Sequence, residues 1–162
     1  MELQQKLLIE RASLHHSRSI WEWRNDEVTR KMSINSEIIP WGIHKQWFDS
    51  VLKDPNRYLY VGYHENEMIG AARFDQIEIN PNCYEISINL APFIRGQGFG
   101  ISFLKESTRI FFLEVINAQS IVAEIKRVNK PSIKTFIESG FKEEMIHKSF
   151  CRYRLSRKGK TI

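Results

Sequence analysis

The segment Arg95-Gly96-Gln97-Gly98-Phe99-Gly100 sets glycines at alternate positions between a strand-like pattern and a helical one. A glycine-rich turn at a helix N-terminus presents unpaired backbone N–H groups and the positive end of the helix dipole, which together suit a phosphate group. Glycine serves at 98 and 100 because a side chain would crowd the phosphate oxygens or demand a strained backbone. No Lys-Ser/Thr pair follows, and the loop does not close the opening strand of a βαβ unit, which argues against ATP and NAD as ligands. Taken alone, the same glycines also fit a tight strand-to-helix connection.

The preceding strand supplies groups that could act on a bound substrate. Side chains alternate along Tyr84 to Leu90, so Glu85, Ser87 and Asn89 share a polar face while Tyr84, Ile86, Ile88 and Leu90 share an apolar one.

The rest of the chain must position this strand and loop. Lys6 to Arg11 reads as a short strand, and Ser13 can cap a helix that gathers Ile20, Trp21 and Trp23 before Asn25-Asp26 stops it. A second helix follows Pro40, with Trp41, His44, Trp47, Phe48, Val51 and Leu52 at helical spacing, and ends at Asp54-Pro55-Asn56. Tyr58 to His64 and Met68 to Ile79 read as strands joined by a turn at Glu65-Asn66-Glu67, and Asn80-Pro81-Asn82 turns the chain into Tyr84 to Leu90. A helix runs from Gly98, a strand from Ser120 to Lys126, and a helix from Asn129-Lys130-Pro131-Ser132 to a left-handed cap at Gly140. The last strands fall between Phe141 and Leu155. This is an α/β pattern of the α+β type, without the regular alternation of a Rossmann fold.

The 162 residues read as one domain, 1–162, with 42% hydrophobic and 27% charged residues and no uninterrupted apolar stretch of membrane-spanning length. The N-terminus lacks the basic start and long apolar run of a secretory signal, so a cytoplasmic location is expected. Cys83 and Cys151 form neither a disulfide framework nor a zinc pattern, and no metal is expected. The formal charge of +5 suits nucleic acid or a phosphate-rich small molecule alike. The basic run Arg152 to Lys160 reads as a solvated end, so no nucleic-acid or membrane partner is expected.

With these elements in view, Arg95-x-x-Gly98-x-Gly100 resembles the pyrophosphate-binding motif of the GNAT superfamily of N-acetyltransferases, preceded by Leu90-Ala91-Pro92. Val122-Ala123-Glu124-Ile125, Asn129-x-x-Ser132 and Glu138-Ser139-Gly140-Phe141 extend the resemblance over essentially the whole chain. It implies the GNAT acyl-CoA N-acyltransferase fold, a mixed central sheet splayed at the fourth strand with helices on both faces. It also implies acetyl-CoA as donor, with the pyrophosphate on Arg95, Gly96, Gln97, Gly98, Phe99 and Gly100. Pantetheine would lie against Ile88, Asn89 and Leu90, with Asn129, Ser132 and Phe136 beside it. Without the resemblance, the last three read as a helix cap, a second cap residue and a core aromatic.

Acyl transfer from a thioester requires a neutral amine, a polarised carbonyl and a leaving thiolate. Glu85 is the expected general base, acting through a water, and Ser87 the residue that orients that water or the amine; the competing role for Glu85 is an ion pair with Arg73. Many members of the superfamily carry a tyrosine where this chain has Phe136. Phenylalanine donates no proton, so the acid is another tyrosine, a water or none.

For the acceptor, Trp23-Arg24-Asn25-Asp26, Arg30, Ser33, His44-x-x-Trp47-Phe48 and Gly70 to Asp75 resemble the nucleotide-amino-sugar acetyltransferases of pseudaminic acid biosynthesis. A UDP-4-amino-sugar needs cationic, aromatic and polar contacts, and Arg24, Asn25, Arg30, His44, Trp47 and Arg73 are the expected set. Core packing competes as the role of the tryptophans and of His44. Two other functions stay open: acetylation of a ribosomal or other protein N-terminus, and a non-catalytic module that binds CoA or nucleic acid. A small-molecule amine is the expected partner, and a homodimer is the expectation by fold analogy.

Overall fold

The computed structural model describes residues 6–159. Strand β1 (Leu7–Arg11) is followed by a single 3-10 turn, Leu14–His16, and then by helices α1 (Ser17–Asn25), α2 (Glu27–Met32) and α3 (Trp41–Lys53). Strands β2 (Arg57–His64), β3 (Glu67–Ile77) and β4 (Asn80–Leu90) form a meander. Helix α4 (Phe99–Glu114), strand β5 (Ser120–Lys126), helix α5 (Lys130–Glu138) and strands β6 (Lys142–Ile146) and β7 (Phe150–Ser156) complete the chain. The sheet order is β1-β2-β3-β4-β5-β7-β6, and only β4 and β5 run parallel.

Helices cover both faces of the sheet. Phe103, Leu104 and Phe111 of α4 and Phe136 of α5 pack with Tyr60, Phe74 and Ile86 on one face. Ile20 of α1 and Phe48 and Val51 of α3 pack with Leu59, Val61 and Ala71 on the other. The two sets of strand residues alternate, as a sheet buried on both sides requires.

Three local expectations are corrected. Asp26 does not simply stop a helix: its carboxylate accepts the Thr29 N–H at 3.1 Å and caps α2, a helix not anticipated from the sequence. Asn80-Pro81-Asn82 is not the turn but the start of β4, and the reversal falls on Glu78-Ile79. Proline is tolerated there because pairing with β5 begins only at Cys83. The basic C-terminal run is not a solvated end as far as Arg157, and Lys160 lies outside the described residues. Arg152 and Arg154 lie in β7, bonded to Glu124 (2.5 Å) and Glu144 (2.6 Å), and Arg157 donates to the carbonyls of Ala118, Val115 and Phe112 at 2.6, 2.8 and 3.0 Å. Within β7, Arg152 and Arg154 are set against carboxylates of the two neighbouring strands, β5 and β6.

Among the described residues, no helix is long and apolar enough to cross a membrane.

Candidate active site

The sheet opens between β4 and β5. Their parallel ladder is limited to Cys83↔Ser120, Tyr84↔Ile121 and Glu85↔Val122, after which β5 stays paired with β7 along its whole length. Ile88, Asn89 and Leu90 keep their partners on β3 but have none on β5. Their free edge can pair with an extended, amide-bearing ligand.

The glycine loop follows the open end of β4 and leads into α4. Gly96 and Gly98 have φ of 72° and 82°, and Gly98 stands at the N-cap of α4. Gln97 folds back on the loop, its Nε2 donating to the Phe93 carbonyl at 2.8 Å. Among the described residues the amides of Gly96 and Gly98 have no acceptor, and those of Phe99 and Gly100 begin the helix, where intrahelical partners are lacking. The two glycines named for their role here serve differently. A Cβ at Gly98 would meet nothing within 4 Å, so its backbone conformation is what demands glycine; at Gly100 a Cβ would stand 3.3 Å from Thr135 of α5.

The Arg95 side chain is bonded to the start of α2. Its Nη2 donates to Asp26 Oδ2 at 2.5 Å and to Thr29 Oγ1 at 2.7 Å, which ties the loop to the cap of α2. The guanidinium holds the Asp26 carboxyl below the usual aspartate range, helped by the Thr29 N–H. Neither Asp26 nor Thr29 was expected at the site, because their links to Arg95 span 69 and 66 residues.

On the far side of the gap, Asn129 caps α5, its Oδ1 accepting from Ser132 N–H at 3.3 Å. That bond leaves its amide nitrogen as a donor. Phe136 is buried, its ring 4.9 Å from that of Phe141 in an edge contact.

Glu85 and Ser87 stand exposed on the polar face of β4, opposite Asp75 and Arg73 of β3. Glu124 joins them from β5, two residues beyond the partner of Glu85. Asp75 is bonded to both Arg57 (2.8 Å) and Arg73 (2.7 Å), and Glu124 is bonded to Arg152. Among the described residues Glu85 alone of these three carboxylates has no hydrogen-bonded cation. The expected competitor, a Glu85–Arg73 pair, does not form, since Arg73 bonds Asp75. The surrounding protein, together with Glu124 and Asp75, raises the Glu85 pKa, against the opposing pull of Arg73 and Arg152. A carboxylate with its pKa raised is a better proton acceptor than an ordinary glutamate.

The acceptor-side residues divide into three groups. Asn25 exchanges two bonds of 2.8 Å with the backbone of Ile39, while Arg24 and Arg30 donate to the carbonyls of Asn35 (2.5 Å) and Ser36 (3.2 Å). All three hold the segment between α2 and α3. His44, expected on the acceptor side, is buried: it is 2% exposed, bonded to the Ser17 carbonyl at 3.0 Å and stacked on Trp41. Its apolar setting lowers its pKa, so the neutral form is favoured. Trp47 and Arg73 do meet, the guanidinium lying 5.1 Å above the ring.

No tyrosine takes the place left by Phe136. Tyr60 bonds Glu114, Tyr63 bonds His16, and Tyr84 and Tyr153 are buried. Tyr58 packs edge-on against Phe111.

A parallel β4–β5 pair that opens before a glycine loop at a helix N-terminus, with a carboxylate on β4 that has no hydrogen-bonded cation among the described residues, is the arrangement the chain presents. The family model described as "Acetyltransferase (GNAT) domain" matches residues 6–142, and the chain belongs to this family of N-acetyltransferases. No curated protein matches it in sequence. Its fold is similar to that of spermidine N-acetyltransferase from Vibrio cholerae in complex with CoA and spermine, at TM-score 0.81 and 17% identity over 93% of this chain and 95% of that one. It is also similar to aminoglycoside acetyltransferase AAC(6')-Ib in complex with coenzyme A, at TM-score 0.80 and 16% identity over 94% and 95%. A third similar structure, a candidate phosphinothricin N-acetyltransferase, has TM-score 0.74 and 25% identity over 94% and 98%.

Proposed function

We propose that the protein transfers the acetyl group of acetyl-CoA to a primary amine on a nucleotide-linked amino sugar of the UDP-4-amino-sugar type, with Glu85 as general base. The observation that carries this reading is the unpaired Glu85 on the opened strand, beside a loop whose amides are free for phosphate.

In this mechanism Glu85, through a water, takes a proton from the acceptor ammonium. The neutral nitrogen attacks the thioester carbonyl carbon, and free N–H groups of β4 stabilise the developing oxyanion. The C–S bond breaks as the amide forms, and the proton shed by the nitrogen passes through water to the departing thiolate. With Phe136 in place of a tyrosine, no side chain is assigned to that last transfer. Two solved relatives of the same fold carry polyamine or aminoglycoside names, but the arginines around this cleft favour an acceptor that brings negative charge.

The test is release of free thiol from acetyl-CoA with a UDP-4-amino-sugar, spermidine, an aminoglycoside and a ribosomal-protein N-terminal peptide offered in turn. Release with the sugar nucleotide supports the full reading. Release only with another amine keeps the chemistry and discards this acceptor. Glu85→Gln should lower kcat by roughly 10²–10⁴-fold with CoA affinity unchanged; equal loss of both would assign Glu85 a structural role.

A further inference from the structure

Arg73 is held on two sides before any ligand arrives. Its Nε donates to Asp75 Oδ2 at 2.7 Å, and its guanidinium plane lies over the Trp47 ring at 5.1 Å. Both contacts fix the side chain without using its terminal nitrogens, which have no acceptor among the described residues and are not shut away from solvent. A guanidinium oriented this way presents a rigid fork of N–H donors, the geometry that matches the two oxygens of a carboxylate or a phosphate.

Asp75 is shared between Arg57 and Arg73, and Glu85, which has no hydrogen-bonded cation among the described residues, lies within reach of the Arg73 charge. Arg24 lies close enough to Arg73 and Arg30 for each to oppose its charge, and its Nη1 is buried without a hydrogen-bond partner. A desolvated Arg24 beside Arg73 is a local excess of positive charge that a bound anion would stabilise and a polycation would not.

The location fixes where such an anion would sit. Arg73 faces Ser87 across the β3–β4 ladder, and Asp75 faces Glu85, so the fork is one pleat away from the proposed base. We propose that Arg73 binds an oxyanion of the acceptor, a carboxylate or a phosphate, and thereby selects anionic amines and sets the amine toward Glu85. Trp47 and Asp75 are positioning residues for that fork. The inference rests on the acetyl-transfer reading of the same cleft, but not on the sugar nucleotide as acceptor.

The test is calorimetric titration of the protein saturated with CoA, so that phosphate probes cannot occupy the donor loop and no turnover is needed. The probes are UDP, glutamate and spermidine. Saturable binding of UDP or glutamate is expected, weakened roughly 10- to 100-fold in Arg73→Gln and less in Arg73→Lys, which keeps the charge and loses the fork. Trp47→Phe should weaken the same probe while leaving CoA affinity intact, a split that a general loss of structure would not produce. Binding of UDP identifies phosphate as the oxyanion, and binding of glutamate alone identifies carboxylate and removes the sugar nucleotide. Unchanged probe affinity in Arg73→Gln, or saturable binding of spermidine alone, overturns the proposal. Arg73-dependent probe binding without thiol release from any amine would leave the anion site standing and remove the catalytic reading.

Discussion

Replacing Gly98 by alanine isolates the conformational demand of the phosphate loop. Gly98 sits at φ 82° and ψ 10°, and a Cβ built there touches nothing within 4 Å, so the substitution adds backbone strain without a clash. An L-residue held in the left-handed region costs about 1–2 kcal/mol. If the loop keeps its shape in the free protein, that cost falls on folding and lowers Tm by roughly 2–8 °C for a chain of this size. If the loop relaxes until donor binds, the cost falls on binding, and CoA affinity drops roughly 5- to 30-fold. Thermal melts and calorimetric titration with CoA together should recover the whole amount. Gly98→Asn should lose less, because asparagine tolerates this region better. Gly100→Ala provides the contrast: there the Cβ meets Thr135 Cγ2 and Oγ1 at 3.3 Å, so Thr135→Ser should relieve it in part and should do nothing for Gly98→Ala. An alanine at 98 that changes neither Tm nor CoA affinity would refute the assignment of that glycine to conformation.

Other substitutions probe the remaining supports. Because the folded state raises the Glu85 pKa, stability that favours its protonated form is present at low pH and lost as pH rises through the raised value; Glu85→Gln should therefore raise Tm at neutral pH and leave it unchanged below pH about 4. The same shift places the acid limb of kcat above the ordinary glutamate range, a position that a pH–rate profile would check. Asp26→Ala removes both the cap of α2 and the partner of Arg95, and should cost about 1–2 kcal/mol in denaturant titrations. Since the Asp26 pKa is lowered, that difference should be full above pH about 4 and fade as the pH falls through the lowered value. Arg157→Leu strips three carbonyls of a charged donor and should destabilise the protein by about 2–4 kcal/mol in the same titrations, whereas a solvated tail residue would register no change.

Local pattern was enough for much of this protein. The glycine spacing before α4, the alternation of Glu85, Ser87 and Asn89 along β4, and the cap at Asn129 each act within a few residues, so each is legible in the chain itself. The hairpin turn is equally local: Glu65 and Asn66 both take positive φ, as a tight reversal between two twisted strands requires. Where the reading failed locally, one residue had two admissible uses. Asp26 both ends α1 and caps α2, and Pro81 fits a turn or an unpaired strand start.

Pairing across the fold was not legible. The sequence contains Glu85, Asp75, Glu124 and their arginines, but which carboxylate is left without a cation depends on the register of β3 against β4 and of β5 against β7. Those registers also turn the basic C-terminal residues from an apparent tail into strand contacts, and they give Arg73 to Asp75 instead of Glu85. His44 shows the same limit, since a histidine on a helix beside aromatics becomes a core residue only when Ser17 of a different helix meets it. Backbone geometry and the alternation of side chains follow from short-range sterics, which the sequence carries by itself. Which charges meet, and which one remains free to do chemistry, is decided by contacts between elements far apart in the chain, and only the tertiary structure brings those together.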